Sequence, residues 1–145
     1  GGKNFRKLTN YLVKYEEYNM GNIGVIHGDP VLSNIIKKTN DDLVFIDPRG
    51  SLGDEFTIYG DTNYDFSKVY QSLNGYEHII LDKKIDYDYL KDLKNHFESL
   101  LINNKKIDNI NTIKFLTSSL YFSLIQFHDK KYTNKFLDIS HNLIK

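Results

Sequence analysis

Cysteine is absent from this chain, and so is any excess of charge: nineteen Lys and Arg are matched by nineteen Asp and Glu over 145 residues. Without cysteine there is no disulfide framework and no thiolate site for zinc or an iron–sulfur cluster, which fits a reducing compartment. Basic and acidic residues are interleaved, so no electrostatic footprint for nucleic acid or an anionic membrane stands out. No apolar run approaches the roughly 20 residues that span a bilayer. The opening Gly1-Gly2-Lys3-Asn4-Phe5-Arg6-Lys7 lacks the apolar stretch of a secretory signal. These absences predict a soluble, cytoplasmic protein with neither nucleic-acid nor membrane partners. No initiator methionine, internal repeat or low-complexity segment is present, and the first of these suggests a piece of a longer polypeptide.

What is present suits one domain over residues 1–145, a length that buries about 68–70% of the surface its unfolded chain exposes. Phe5, Leu8, Leu12, Tyr15 and Tyr18 recur at three- and four-residue intervals, predicting a helix over Lys3–Tyr18 that Asn19-Met20-Gly21-Asn22 ends. Ile23-Gly24-Val25-Ile26 suits a short buried strand. Asn34–Lys37 and Leu43–Ile46 flank the turn-forming Lys38-Thr39-Asn40-Asp41-Asp42 and predict a β-hairpin. From Pro48 to Asn63 glycines interrupt every period, so a long functional loop is expected there. Helices are then predicted over Tyr64–Leu73, stopped by Asn74-Gly75, and over Tyr87–Asn103, Asn111–His128 and Thr133–Ile144. The third of these, with Ile113, Leu116, Leu120, Leu124 and Phe127 on one face, should be central to the core. The fold class is therefore α+β, mainly helical, with a small hairpin.

Chemistry gathers at two places. His27-Gly28-Asp29-Pro30-Val31-Leu32-Ser33-Asn34 precedes the hairpin, and Leu43-Val44-Phe45-Ile46-Asp47-Pro48-Arg49-Gly50 closes it, so the hairpin carries Asp47 back towards Asn34. Phosphoryl transfer to an alcohol asks little covalent chemistry of a protein: a carboxylate orients the hydroxyl and takes its proton while Mg²⁺ neutralises phosphate oxygens. Magnesium takes hard oxygen ligands, commonly one or two carboxylates with phosphates and water. Asp29 is placed to be the base, Asp47 the main metal carboxylate and Asn34 a further oxygen donor.

The spacing His27-Gly28-Asp29, four residues, Asn34, followed by Ile46-Asp47-Pro48-Arg49-Gly50, resembles the paired catalytic motifs of the aminoglycoside phosphotransferase and choline kinase superfamily, relatives of protein kinases. The similarity runs on through Tyr64-Asp65-Phe66-Ser67-Lys68 and the helical C-terminus, and so covers most of the chain. It implies a protein-kinase-like C-terminal lobe, with Asp29 as catalytic base, Asn34 and Asp47 as metal ligands, ATP as phosphoryl donor and Mg²⁺ as cofactor. Asp65 resembles the helix aspartate that braces the catalytic loop through backbone N–H groups. Pro48-Arg49-Gly50-Ser51 with Tyr59-Gly60-Asp61 is similar to a bacterial branch associated with surface-polysaccharide and small-alcohol phosphorylation. The superfamily's N-terminal, nucleotide-clamping lobe, with its glycine-rich turn and lysine, has no counterpart here, so the chain is expected to be a lobe with little activity alone.

Each residue also has a plainer role. Gly28-Asp29-Pro30 by itself is a turn signal. His27 is expected to brace a loop, Arg49 to touch phosphate or to form a loop-shaping salt bridge, and Asp54 and Asp61, each after a glycine, to be turn residues or substrate contacts. His128-Asp129 reads as a helix-cap region, and Tyr121-Phe122 as core. Three function classes follow: an ATP-dependent phosphotransferase acting on the hydroxyl of a sugar, amino alcohol or aminoglycoside-like molecule; a metal-dependent phosphoesterase using His27, Asp29 and Asp47; and a non-catalytic kinase-like interaction or regulatory module. The second needs further ligands, and His78, His96, His128 and His141 show no metal-ligand spacing.

Overall fold

A computed structural model of the protein describes residues 2–145. Helix α1 (Gly2–Glu17) ends as its sequence suggests: Asn19 takes a left-handed conformation, φ 48°, and the Met20 N–H reaches back to the Tyr15 carbonyl at 3.0 Å, the six-to-one bond of a Schellman ending. Strand β1 (Ile23–Val25) follows, but it is not the buried strand expected, since Ile23 and Val25 are both exposed. The hairpin is formed by β2 (Ile35–Lys37) and β3 (Leu43–Phe45), antiparallel with Ile35 opposite Phe45.

The segment from Pro48 to Asn63 is not the structureless loop its composition suggests. It folds as a tight hairpin, β4 (Ser51–Leu52) with β5 (Glu55–Phe56), and then β6 (Tyr59–Asp61), which pairs antiparallel with β1 so that Gly24 faces Gly60. Strands of two or three residues carry no readable period, and β6 finds its partner some 35 residues upstream, which composition cannot show. A Cβ at position 60 would lie 2.5 Å from the Ile26 Cδ1, so that the end of the Ile26 side chain would have to move aside.

The remainder is helical: α2 (Thr62–Leu73), α3 (Tyr76–Ile80), α4 (Tyr87–Asn103), α5 (Ile110–Leu124) and α6 (Thr133–Leu143). Asp61, Asp86 and Asn109 cap α2, α4 and α5, each side chain accepting a backbone N–H two or three residues on. Asn74-Gly75 ends α2 as expected, but Gly75, φ 93°, turns the chain straight into α3, an extra helix too short to show a hydrophobic period. Among the described residues no helix is long and apolar enough to cross a membrane.

Helix α5 packs against α1, α2 and α6 and is the central element. Its buried line is Ile113, Thr117 and Tyr121, rotated from the expected Leu116–Leu120–Leu124 face, which is half-buried. Phe127 lies beyond the helix end and is 74% exposed. The rotation has a cause: small hydroxylic residues bring helices close. Ser118 Oγ donates to the Ser140 carbonyl at 2.9 Å and Ser140 Oγ to the Ser118 carbonyl at 3.0 Å, joining α5 to α6, while Thr117 Oγ1 donates to the Ser67 carbonyl of α2 at 3.2 Å. Larger residues fill the space on either side. Tyr70, Leu101, Ile107 and Ile113 form one cluster between α2, α4 and α5; Ile79, Tyr121, Tyr132 and Phe136 form another between α3, α5 and α6.

Candidate active site

The two motif segments meet beside α2. Asp65, on the first turns of that helix, accepts the backbone N–H of His27 at 2.6 Å and of Gly28 at 2.9 Å. This bidentate carboxylate fixes the entry to the 27–34 loop. The exit is fixed farther along the same helix, where Ser72 Oγ accepts the Leu32 N–H at 3.0 Å and itself donates to Glu77 Oε1 at 2.7 Å. Between these anchors the loop closes in a short 3-10 turn, Leu32–Asn34, with Pro30 and Val31 buried beneath it.

Gly28 is required by its surroundings. Its φ is 86°, and a Cβ would fall 2.6 Å from the Arg49 Cβ. That contact marks where the second motif crosses the first: the Arg49 N–H donates to the His27 carbonyl at 2.8 Å, and the Ile46 N–H to the Asn34 carbonyl at 3.0 Å. The His27 ring completes the lacing. Its Nδ1 accepts the Asp29 N–H at 3.2 Å, and its Nε2 donates to the Ile46 carbonyl at 2.9 Å. His27 therefore braces the loops.

Asn34 turns its amide inward. Nδ2 donates to the Asp29 carbonyl at 2.9 Å and stands 3.4 Å from Asp29 Oδ2, so its Oδ1 is the atom left for other partners. Asp47 comes one residue after Ile46, exposed and held at φ 55°, a left-handed conformation that aspartate tolerates better than most residues.

Lys68, one turn beyond Asp65, completes the cluster. Its ammonium stands 2.9 Å from Asp29 Oδ1. That oxygen is shielded from solvent and has no aligned hydrogen bond, so Lys68 meets it as a point charge. The pair is open on one side: the Lys68 side chain is 15% exposed and that of Asp29 42%. Lys68 and Arg49 both lie over the Tyr64 ring, at 6.0 and 5.7 Å from its centroid. Among the described residues Arg49 makes no ion pair, so of the two roles expected of it the loop-shaping salt bridge is not formed. Tyr76 is near enough that its phenol is pushed up, first by burial and then by the Asp29 charge. Lys68 escaped the sequence reading, although its place three residues after Asp65 puts it on the same helical face.

The two loop aspartates separate from this cluster. Asp61 is the α2 cap: its carboxylate accepts the N–H of Asn22 and of Asn63, each at 3.0 Å, and the Tyr15 hydroxyl at 2.7 Å. Burial, and then this bond to Asp61, drives the Tyr15 phenol far above its ordinary range. Asp61 is thereby committed to the fold and is not a free substrate contact. Asp54 is exposed in the two-residue turn between β4 and β5, with no ion-pair partner among the described residues.

Among the described residues no three His, Cys, Asp or Glu side chains gather as a protein-built metal cage. The donors present, the Asp47 carboxylate and the Asn34 Oδ1, are the oxygen type and the small number that magnesium takes when phosphates and water complete its shell. No family model matches the chain, and no curated protein or solved structure matches it significantly.

Proposed function

We propose that the chain is the C-terminal lobe of a protein-kinase-like phosphotransferase that moves the γ-phosphoryl group of ATP to the hydroxyl of a small molecule. One observation carries the reading: Asp29, Asn34 and Asp47, from two separate segments, sit on loops laced together by the Ile46–Asn34, Arg49–His27 and His27–Ile46 bonds. The lacing gives the loops one defined geometry, which is what positioning an alcohol against a phosphate needs. Asp29, whose Oδ1 is met by Lys68 and whose Oδ2 stands 3.4 Å from the Asn34 amide on a side chain 42% exposed, is the group to accept the hydroxyl proton. Asp47 and Asn34 would hold Mg²⁺, which when bound neutralises charge on the phosphate oxygens. Asp65 and His27 hold the loops in place and touch no reactant.

A nucleotide-clamping lobe is the partner this reading requires. The strands support it with apolar side chains turned to solvent, Ile23 80% exposed and Phe56 94%, alongside Val25, Ile58 and Tyr59. The test is Mg²⁺-dependent ATP consumption by the complete reading frame with sugars, amino alcohols and aminoglycosides as acceptors. Asp29→Asn should lower kcat by about a hundredfold or more and leave ATP affinity nearly unchanged. A complete protein that binds ATP but turns over none of these acceptors, or an Asp29→Asn variant with full activity, would put the non-catalytic module in its place.

A further inference from the structure

On the side of α2 turned away from Asp65 and Lys68, a cavity of about 840 Å³ opens between α2, α3, α4, α5 and α6. Its floor is apolar, with Leu73, Ile79 and Leu90 all buried. Its walls are cationic: Lys83 and Lys84 from the α3–α4 connection, Lys94 from α4, Lys114 from α5 and Lys135 from α6, against the single carboxylate of Asp138. A chain of zero formal charge has placed four net positive charges around one hollow.

None of these lysines is in an ion pair; the pairs among the described residues belong to Lys37, Lys68 and Lys131. Lys94 is the clearest case. Its ammonium donates to the neutral Asn74 Oδ1 at 3.1 Å. Burial lowers its pKa; the charge of Glu98 opposes this, and the smaller effect of Lys114 adds to the lowering. Glu98 itself is occupied by the Tyr70 hydroxyl at 2.5 Å. Lys94 and Lys114, half-buried on separate helices beside the exposed Lys83, Lys84 and Lys135, outnumber the carboxylates near them, and such like charges raise the free energy of the fold unless an anion joins them.

We infer that this cavity is a binding site for an organic phosphate carrying at least two phosphoryl charges, with its phosphates on the lysines and its carbon body on the Leu73–Ile79–Leu90 floor. Lysines act as point charges and suit the tetrahedral, multiply charged phosphate; no arginine fork is present to select a planar carboxylate. The volume falls within that of small-molecule pockets, and a concave site with an apolar floor fits a compact ligand better than a polymer backbone. The site lies apart from Asp29, so it stands whether or not the chain is a phosphotransferase.

Calorimetric titration of this chain without Mg²⁺ tests it, with fructose 1,6-bisphosphate, inorganic pyrophosphate and a single-stranded RNA as probes. Fructose 1,6-bisphosphate should bind more tightly than pyrophosphate. Lys94→Met and Lys114→Met should each weaken it about tenfold, while Lys38→Met, in the β2–β3 turn, leaves it unchanged. Circular dichroism confirms that each variant is folded. No heat from either phosphate up to about 10 mM, equal loss in Lys38→Met, or tighter binding of the RNA would each overturn the inference.

Discussion

Removal of the Asp65 carboxylate should unfasten the loop that carries Asp29 before it unfolds the protein. The carboxylate accepts two backbone N–H groups, from His27 at 2.6 Å and Gly28 at 2.9 Å, in a partly buried setting. Hydrogen bonds to a charged acceptor are worth about 1.5–3 kcal/mol each. Taking the lower figure because the site is partly solvated, Asp65→Ala costs about 3 kcal/mol. For a chain of this length that is a fall in Tm of about 6–12 °C. Asp65→Asn keeps one carbonyl acceptor but turns an NH₂ group towards the other N–H, so it should lose at least half as much. Thermal denaturation followed by circular dichroism gives the size of the effect, and amide hydrogen exchange gives its place. In the variant, the amides of His27 and Gly28 should exchange far faster while those of α5 keep their relative protection. A Tm within 1 °C of the parent, about the resolution of the measurement, together with unchanged exchange at those two amides, would refute the bracing role.

Gly28→Ala forces a side chain into left-handed backbone and onto the Arg49 Cβ, 2.6 Å away. It should cost about 3 kcal/mol, read as a lower denaturation midpoint at unchanged slope; an unmoved midpoint would contradict the tight crossing of the two loops. Gln71 is fully buried with both amide atoms unpartnered among the described residues, so Gln71→Met should stabilise the fold by about 1 kcal/mol, and a loss of that size in equilibrium unfolding would show that the amide is satisfied after all. Tyr15, Tyr70, Tyr76 and Tyr121 all have phenols raised by burial first, with Asp61, Glu98, Asp29 and Glu77 respectively adding to it. A raised folded pKa means stabilisation that is full below the ordinary phenol range, about pH 10, and lost as pH climbs above it. Absorbance at 295 nm, a tyrosinate band, should therefore rise less in the native protein than in the unfolded chain as pH passes about 10, the deficit appearing on alkaline unfolding; equal titration curves would refute it.

Long amphipathic segments were legible in the sequence. Tyr87–Asn103 coincides with α4, and α1 and α6 differ from their expected limits by a residue, because each has a strong apolar face and a clear end. The β2–β3 hairpin was legible from its Asn-Asp turn, and with it the return of Asp47 towards Asn34. What failed was non-local or brief. The β1–β6 pairing joins distant segments of three residues, and α3 is five residues long. The buried face of α5 was misjudged because hydrophobicity favoured Leu120 and Leu124, whereas close helix contact favoured Thr117 and Ser118. At the site, Asp54 and Asp61 looked alike as acids following glycines, and only the coordinates separate an exposed turn residue from a filled helix cap. Lys68 was hidden for a similar reason, since its partner Asp29 lies 39 residues away in sequence.

Asp61 and Asp65 leave the same end of one helix four positions apart, and they hold different things: the first grips the end of α1 and the start of β1, the second the loop bearing Asp29. Each residue added to a helix turns it by about 100°, so an insertion or deletion between the two would swing one grip away from its target while the other stayed put. The four-residue interval is therefore a fixed length that lets one helix end hold both segments.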